Sequence, residues 1–161
     1  MYEQRIATPE DLNILWDRNI RDNPDEPAWL VWRDEFIENN RLGKVLTFAV
    51  IADGIAVGEG SLILTDDHPA IRGRTFLADG QTNVNINALR IIKEHEGKGQ
   101  ISRLVRMMED WAREHGFTTI TIGVEPEEAR NLGIYLHWGY NRLVHHEVED
   151  GALILYYAKA L

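Results

Sequence analysis

Two glycines stand where a strand-like apolar segment gives way to an amphipathic helix. Gly97-Lys98-Gly99 follows the apolar residues that end near Ile92, and from Ile101 onward apolar side chains recur at i, i+3, i+4 and i+7. Glycines let backbone N–H groups approach a phosphate closely, and the helix dipole adds positive potential at the same end. The spacing therefore predicts an anion-binding site at this turn.

Two common nucleotide-binding motifs do not fit the same residues. A P-loop requires glycine five residues before the Gly-Lys pair and serine or threonine after it, where this chain has Ile92 and Gly99. The dinucleotide fingerprint requires a third glycine where Ser102 stands, and no βαβ unit begins upstream. Both classes of nucleotide site are excluded.

With a second segment further along, this turn resembles the Gcn5-related N-acetyltransferase (GNAT) family. The family pattern Arg/Gln-x-x-Gly-x-Gly/Ala falls on residues 96–101, where Gly99 matches while Glu96 and Ile101 depart from it. In the second segment, Tyr135 and Gly139-Tyr140 match the family's fourth-helix signature, and Glu128 replaces its usual asparagine. The resemblance is clearest over about residues 84–140, and the order of elements along the whole chain agrees with it.

The resemblance implies acetyl-CoA as a co-substrate and no metal. It implies that the fourth and fifth strands separate, with the pantetheine between them on the backbone of Leu89, Arg90 and Ile91. The pyrophosphate is then expected on the N–H groups of the turn: Gly97, Lys98, Gly99, Gln100, Ile101 and Ser102. Basic residues that could contact the nucleotide phosphates, or simply face solvent, are Lys93, Lys98, Arg103 and Arg106.

Acetyl transfer to an amine also needs a proton for the departing thiolate. The resemblance assigns that role to Tyr135, because a phenol with a pKa of about 10 matches a thiolate. The general base stays open, since Asn83, Asn85 and Asn87 occupy the strand where some members carry a catalytic glutamate, and an amide accepts no proton. Four residues remain as alternatives: Glu59, Asp79, Glu94 and His95.

The acceptor is expected to be a small-molecule amine or an amino-acid-like molecule. We expect its contacts from the first two helices, the last hairpin and the long loop of residues 66–81. Arg72 and Arg74 could hold a carboxylate there, and Glu59 and Asp79 are further substrate-side candidates. Two alternatives stay open: a non-catalytic acyl-CoA sensor, and acetylation of a protein N-terminus or lysine.

These residues must be positioned by an α/β fold. Residues 1–161 are read as one domain with elements in the order β-α-α-β-β-β-α-β-α-β-β, which indicates a mixed, mostly antiparallel sheet of about seven strands and about four helices. Gly58 and Gly60 predict a bulge or a close approach within the third strand. Four side chains of the second helix are expected to face the core: Trp29, Trp32, Phe36 and Ile37. The fourth helix is expected to begin at Pro126.

Composition restricts the function further. The 161 residues include 17 basic and 26 acidic side chains, giving a net charge of −9, and no cysteine. An acidic chain disfavours nucleic-acid binding, and the absence of cysteine excludes disulfides and a thiol nucleophile. No apolar stretch has the length of a membrane span. The expectation is a cytoplasmic enzyme without a membrane or nucleic-acid partner, and a homodimer is left open.

Overall fold

Seven strands and four α-helices follow one another in the predicted order. A computed structural model describes residues 1–161. Its elements are β1 (Tyr2–Ile6), α1 (Pro9–Asp22), α2 (Ala28–Arg41), β2 (Val45–Ala52), β3 (Ile55–Ile63), β4 (Asn83–Ile91), a 3₁₀ turn (Lys93–His95), α3 (Gln100–Glu114), β5 (Thr119–Val124), α4 (Ala129–His137), β6 (Arg142–Glu149) and β7 (Ala152–Ala160). None of the helices has the length and apolar character needed to cross a bilayer.

All strands belong to one sheet with the order β1-β2-β3-β4-β5-β7-β6. Every neighbouring pair is antiparallel except β4 and β5, which run parallel. The α/β class and the mixed, mostly antiparallel sheet predicted from the sequence are confirmed.

Two layers of helices cover the sheet. Along β2, Phe48 and Val50 face the core beneath α3, whereas Ala49 and Ile51 pack with Leu15 of α1 on the opposite face. This alternation is the period of two that a strand imposes on its side chains. The side chains that form the apolar stripe of α3 are buried against the first face and hold α3 firmly at the sheet. They are Leu104, Val105, Met108 and Ala112.

A bulge in β4 separates it from β5. The β3 residues Glu59 and Ser61 pair with Arg90 and Asn87, so β4 has one residue more than β3 over this stretch. Ala88 lies at the bulge with φ +55°, a conformation that few non-glycine residues adopt. Pairing of β4 with β5 stops at Ile86. The separation of the two strands that the resemblance implies is therefore present.

The third strand approaches its neighbours closely, as its glycines predict. A Cβ atom on Gly60 would lie 2.8 Å from Cδ1 of Leu89 and 3.0 Å from the sulfur of Met108. A side chain at this position would displace Leu89 and Met108 from where they now pack against β3.

Two expectations about the helices were wrong. Helix α4 begins at Ala129 rather than Pro126, because Glu128 has non-helical backbone angles and its N–H closes a turn on the carbonyl of Glu125. Trp32 does not point inward and is 41% exposed. It packs instead on the Trp29 ring, with centroids 5.1 Å apart.

Candidate active site

The gap between the separated strands forms a cavity of about 330 Å³, which we call the β4/β5 cleft. The β4 residues Asn87, Ala88 and Leu89 form one wall, Gly123 of β5 another, and Tyr135 of α4 closes one side. No strand pairs with the β5-facing edge of β4 beyond Ile86. This edge is therefore free to pair with an extended ligand.

The start of α3 lines a second cavity of about 410 Å³, which we call the glycine-turn cavity. Gly97 and Gly99 have φ of +71° and +75°. The N–H groups of residues 97–102 donate to no backbone carbonyl or side chain of the chain. Unpaired N–H groups at a helix N-terminus fit the requirements of a pyrophosphate.

Most of the predicted cofactor-binding residues come together around this cavity. Its lining includes Leu89, Arg90, Ile91, Gly97, Gly99, Gln100, Ile101 and Ser102. Lys98 is not in the lining, and its ammonium lies 6.0 Å from the centre of the Tyr2 ring. Arg106 does not line it either, but it donates to Oγ of Ser102 at 2.9 Å.

Tyr135 stands where the two cavities meet. Together with Leu89 and Asn131 it lines both the glycine-turn cavity and the β4/β5 cleft. Burial and the negative charge of Glu128 raise the pKa of Tyr135 to about 12, and no side chain or backbone group hydrogen-bonds its hydroxyl. The phenol is therefore protonated at neutral pH and free to donate.

A third cavity of about 470 Å³ lies between α1, α2 and the β6–β7 hairpin; Trp16 and Trp32 contribute to its wall, and we call it the tryptophan cavity. It shares four lining residues with the β4/β5 cleft: Asn87, Ala88, Glu149 and Tyr156. The cleft therefore adjoins the glycine-turn cavity on one side and the tryptophan cavity on the other.

The hairpin side of the tryptophan cavity is held by ion pairs that sequence reasoning missed. Arg74 pairs with Glu147 and, at 2.7 Å, with Glu149, and it donates to the Tyr156 hydroxyl at 3.2 Å. Arg72 pairs with Glu149 at 2.6 Å. Arg74 also donates to the carbonyls of its own loop, so both arginines are engaged within the chain.

These pairs predict unequal effects of two matched substitutions. Arg74 is mostly buried, whereas 56% of the Arg72 side chain is exposed. Arg74→Ala leaves two carboxylates without their buried partner and should lower the free energy of unfolding by about 1–3 kcal/mol. Arg72→Ala should cost less than about 1 kcal/mol. Urea unfolding of both variants checks this, and equal losses would contradict it.

Two of the four candidate bases are held by other groups. Glu59 is buried, pairs with Arg90 and accepts from Nδ2 of Asn19 at 3.4 Å. Burial alone would raise the pKa of Asp79, but hydrogen bonds from Asn83, Thr82 and Gln81 lower it to about 2. Asp79 therefore stabilises the loop, and a carboxylate with so low a pKa is a weak base.

The other two candidates lie beyond the cleft. His95 is hydrogen-bonded through Nδ1 to the Tyr2 hydroxyl at 2.6 Å, and Glu94 lines a separate cavity beside α1. None of the four candidates lines the β4/β5 cleft.

Comparisons with known proteins agree with this geometry. The model of the acetyltransferase (GNAT) family matches residues 10–140, which is most of the chain. The chain belongs to this family, and it is accordingly an acyltransferase that uses acetyl-CoA as co-substrate. No curated protein matches the sequence significantly.

Solved structures share the fold at low sequence identity. An N-acetyltransferase from Staphylococcus aureus superposes with a TM-score of 0.72 and 15% identity, over 99% of this chain and 98% of the other. A ribosomal-protein-alanine N-acetyltransferase from Brucella melitensis superposes with a TM-score of 0.71 and 18% identity, over 99% of each chain. A Salmonella typhimurium protein described as an acetyltransferase, solved with acetyl-CoA, superposes with a TM-score of 0.71 and 16% identity, over 99% of this chain and 94% of the other.

The chain contains no cluster of three or more His, Asp or Glu side chains placed to bind a metal ion.

Proposed function

We propose that the protein transfers the acetyl group of acetyl-CoA directly to a primary amine of a small-molecule or amino-acid-like acceptor, with Tyr135 as the general acid. The observation that carries this proposal is the position of Tyr135, which lines both the glycine-turn cavity and the β4/β5 cleft. Its hydroxyl has no hydrogen-bond partner in the chain and is protonated at neutral pH.

The two cavities suit the two ends of acetyl-CoA. Unpaired N–H groups at residues 97–102 would bind the pyrophosphate. The free edge of β4, from Leu89 to Ile91, would hydrogen-bond the pantetheine amides as a neighbouring strand would. An extended ligand anchored at both places passes Tyr135, because Tyr135 and Leu89 line both cavities.

The reaction then requires two proton transfers, because the acceptor amine must lose a proton and the departing thiolate must gain one. The neutral amine attacks the thioester carbonyl and forms the C–N bond, backbone N–H groups of the β4 edge stabilise the resulting oxyanion, and the C–S bond breaks as the carbonyl re-forms. Tyr135 donates its proton to the departing sulfur. None of the four candidate bases lines the cleft, but Glu125 and Glu128 do, so the amine is expected to lose its proton through water to one of these carboxylates.

The acceptor is expected to enter from the tryptophan cavity. Its volume of about 470 Å³ falls in the range typical of small-molecule pockets. Beyond this cavity, Glu125 and Glu128 line the β4/β5 cleft itself. These carboxylates and the net charge of −9 would attract a protonated amine before it reacts.

A panel of acceptors tests the proposal. Acetyl-CoA is incubated with primary amines, amino acids and short peptides, with the released CoA thiol as the readout. We expect release with at least one small amine or amino acid. Release only with peptides would show a protein N-terminal or lysine acetyltransferase. Binding of acetyl-CoA without any release would show a sensor.

The raised pKa of Tyr135 makes a prediction about pH. An acid with a pKa of about 12 keeps its proton at every lower pH, so its contribution is lost only as the pH rises through that value. The amine must lose its proton to react, so kcat/KM should rise with pH and then level off. We expect no decline of kcat/KM at any pH below about 10. Circular dichroism at each pH controls for unfolding. A decline that begins near pH 8 in the folded protein would contradict Tyr135 as the acid.

A further inference from the structure

Helix α4 carries Tyr135, yet it is the only one of the four α-helices without a buried residue. At its N-terminal end, Glu128 makes no side-chain cap hydrogen bond. Tyr135 and the neighbouring Trp138 pack against the core but remain partly exposed. The position of α4, and with it the position of Tyr135, must therefore depend on how the C-terminal end of the helix is held.

The C-terminal end of α4 closes in a Schellman motif. Gly139 has φ +99°, and its N–H donates to the carbonyl of Leu136 at 3.0 Å. The N–H of Tyr140 donates to the carbonyl of Tyr135 at 3.0 Å. Tyr140 is therefore bonded through the backbone to the proposed general acid, so a shift of Tyr140 would move Tyr135 as well.

The side chain of Tyr140 anchors this end of the helix. It is 0% exposed and belongs to the core beneath α3. Its hydroxyl donates to Oε2 of Glu109 at 2.8 Å, and Glu109 is itself buried on α3. Burial and the Glu109 carboxylate raise the pKa of Tyr140 far above its ordinary value, so the hydroxyl keeps its proton and remains a donor.

Lys159 of β7 neutralises the buried carboxylate. Its ammonium donates to the same Oε2 of Glu109 at 2.8 Å and lies 5.6 Å from the centre of the Tyr140 ring. Its stem passes beside Gly139, where a Cβ atom would lie 3.4 Å from Cε of Lys159. Glu109 therefore joins α3, β7 and the end of α4, although it lines none of the cavities described above.

We propose that Glu109 and Tyr140 are positioning residues for acetyl transfer. Their hydrogen bond fixes the end of α4 on α3, and the backbone bond from Tyr140 to Tyr135 passes that position on to the phenol that protonates the thiolate. Because α3 also begins at the glycine turn, one helix sets the place of both the bound cofactor and its acid. This proposal rests on the proposed function, since it concerns the same general acid.

A double-mutant cycle in kcat tests whether Tyr140 acts through Tyr135. Tyr140→Phe keeps the buried ring and removes only the hydroxyl, and it should lower kcat by about 5- to 50-fold while Tyr135 is present, because small misplacements of a catalytic group are costly. In the Tyr135→Phe background the same substitution should change kcat by less than about twofold, since no acid is left to misplace. Equal factors in both backgrounds, or an unchanged kcat in Tyr140→Phe, would overturn the proposal.

Variants of Glu109 test the acceptor side of the hydrogen bond. Glu109→Gln keeps an oxygen that can accept from Tyr140, so it should retain more activity than Glu109→Leu, which offers no acceptor. A kcat no higher in Glu109→Gln than in Glu109→Leu would contradict the role of this bond. If Glu109→Leu fails to fold, the cycle with Tyr140→Phe still decides the question.

Thr47→Val is the matched control for lost stability. It removes a buried hydroxyl that is hydrogen-bonded to the Ser61 hydroxyl at 2.8 Å, and Thr47 lines none of the cavities described above. The variant should unfold at a lower urea concentration and keep its kcat. A loss of kcat equal to that of Tyr140→Phe would show that any destabilisation slows the reaction, and it would overturn the proposal.

Hydrogen exchange separates this proposal from the proposed function, because it requires no turnover. The backbone amides of residues 129–137 should exchange about 10-fold faster in Tyr140→Phe than in the unchanged protein, and at the same rate in Thr47→Val. Unchanged exchange in Tyr140→Phe, together with a large loss of kcat in Tyr135→Phe, would overturn the anchor and leave the acid in place. Faster exchange together with full activity in Tyr135→Phe would refute the acid, and the positioning role with it.

Discussion

Tyr135→Phe should lower kcat by about 10²–10⁴-fold and leave the affinity for acetyl-CoA nearly unchanged. The substitution removes one hydroxyl that makes no hydrogen bond in the protein, so it should not disturb folding. The loss should appear in kcat because the proton is transferred only as the C–S bond breaks. Steady-state thiol release and calorimetry with acetyl-CoA measure the two quantities separately.

Tyr157→Phe is the matched control for this variant. Tyr157 is half-buried in β7, packs against the same core as Tyr135 and lines none of the cavities described above. Its variant should keep full activity. Full activity in Tyr135→Phe as well would show that Tyr135 only packs against the core, and that water or the amine's own proton serves the leaving thiolate.

Ser102→Glu should weaken acetyl-CoA binding by about 10- to 1,000-fold. Ser102 is the third residue of α3 and lines the glycine-turn cavity. A repulsion of about 1–4 kcal/mol arises when a unit charge lies about 4 Å from a second one, and a pyrophosphate brings at least one such charge. Glutamate in the first turn of a helix is otherwise favourable, so the variant should remain folded.

Asn13→Glu controls for the change in net charge. Asn13 is exposed on α1 and lines none of the cavities described above. Calorimetry at low and high salt should show a strong, salt-sensitive loss for the Ser102 variant and little change for the Asn13 variant. Equal affinity of both variants for acetyl-CoA would place the pyrophosphate elsewhere.

Local patterns are sufficient to predict most of the fold. Asp53-Gly54 predicts the hairpin that joins β2 to β3, and the spacing of apolar residues from Ile101 onward predicts the buried stripe of α3. The bulge at Ala88 has no comparable signal, because alanine rarely adopts a positive φ and the conformation is imposed by the surrounding sheet. Yet this bulge coincides with the end of pairing between β4 and β5, and so with the cleft.

The residues of the candidate site also differ in whether the sequence alone predicts them. The glycine turn and Tyr135 follow from local motifs and a family resemblance. The partners of Arg74 do not, because Glu147 and Glu149 lie more than 70 residues away in sequence and meet it only in the folded chain.

A crystal structure with bound CoA would show whether the reacting sulfur lies beside Tyr135. We expect pantetheine along β4, pyrophosphate on the N–H groups of residues 97–102, and the Tyr135 hydroxyl within hydrogen-bonding reach of the sulfur, directly or through one water. A sulfur that lies outside the β4/β5 cleft, or more than about 6 Å from that hydroxyl with no bridging water, would contradict the role of Tyr135 as the general acid.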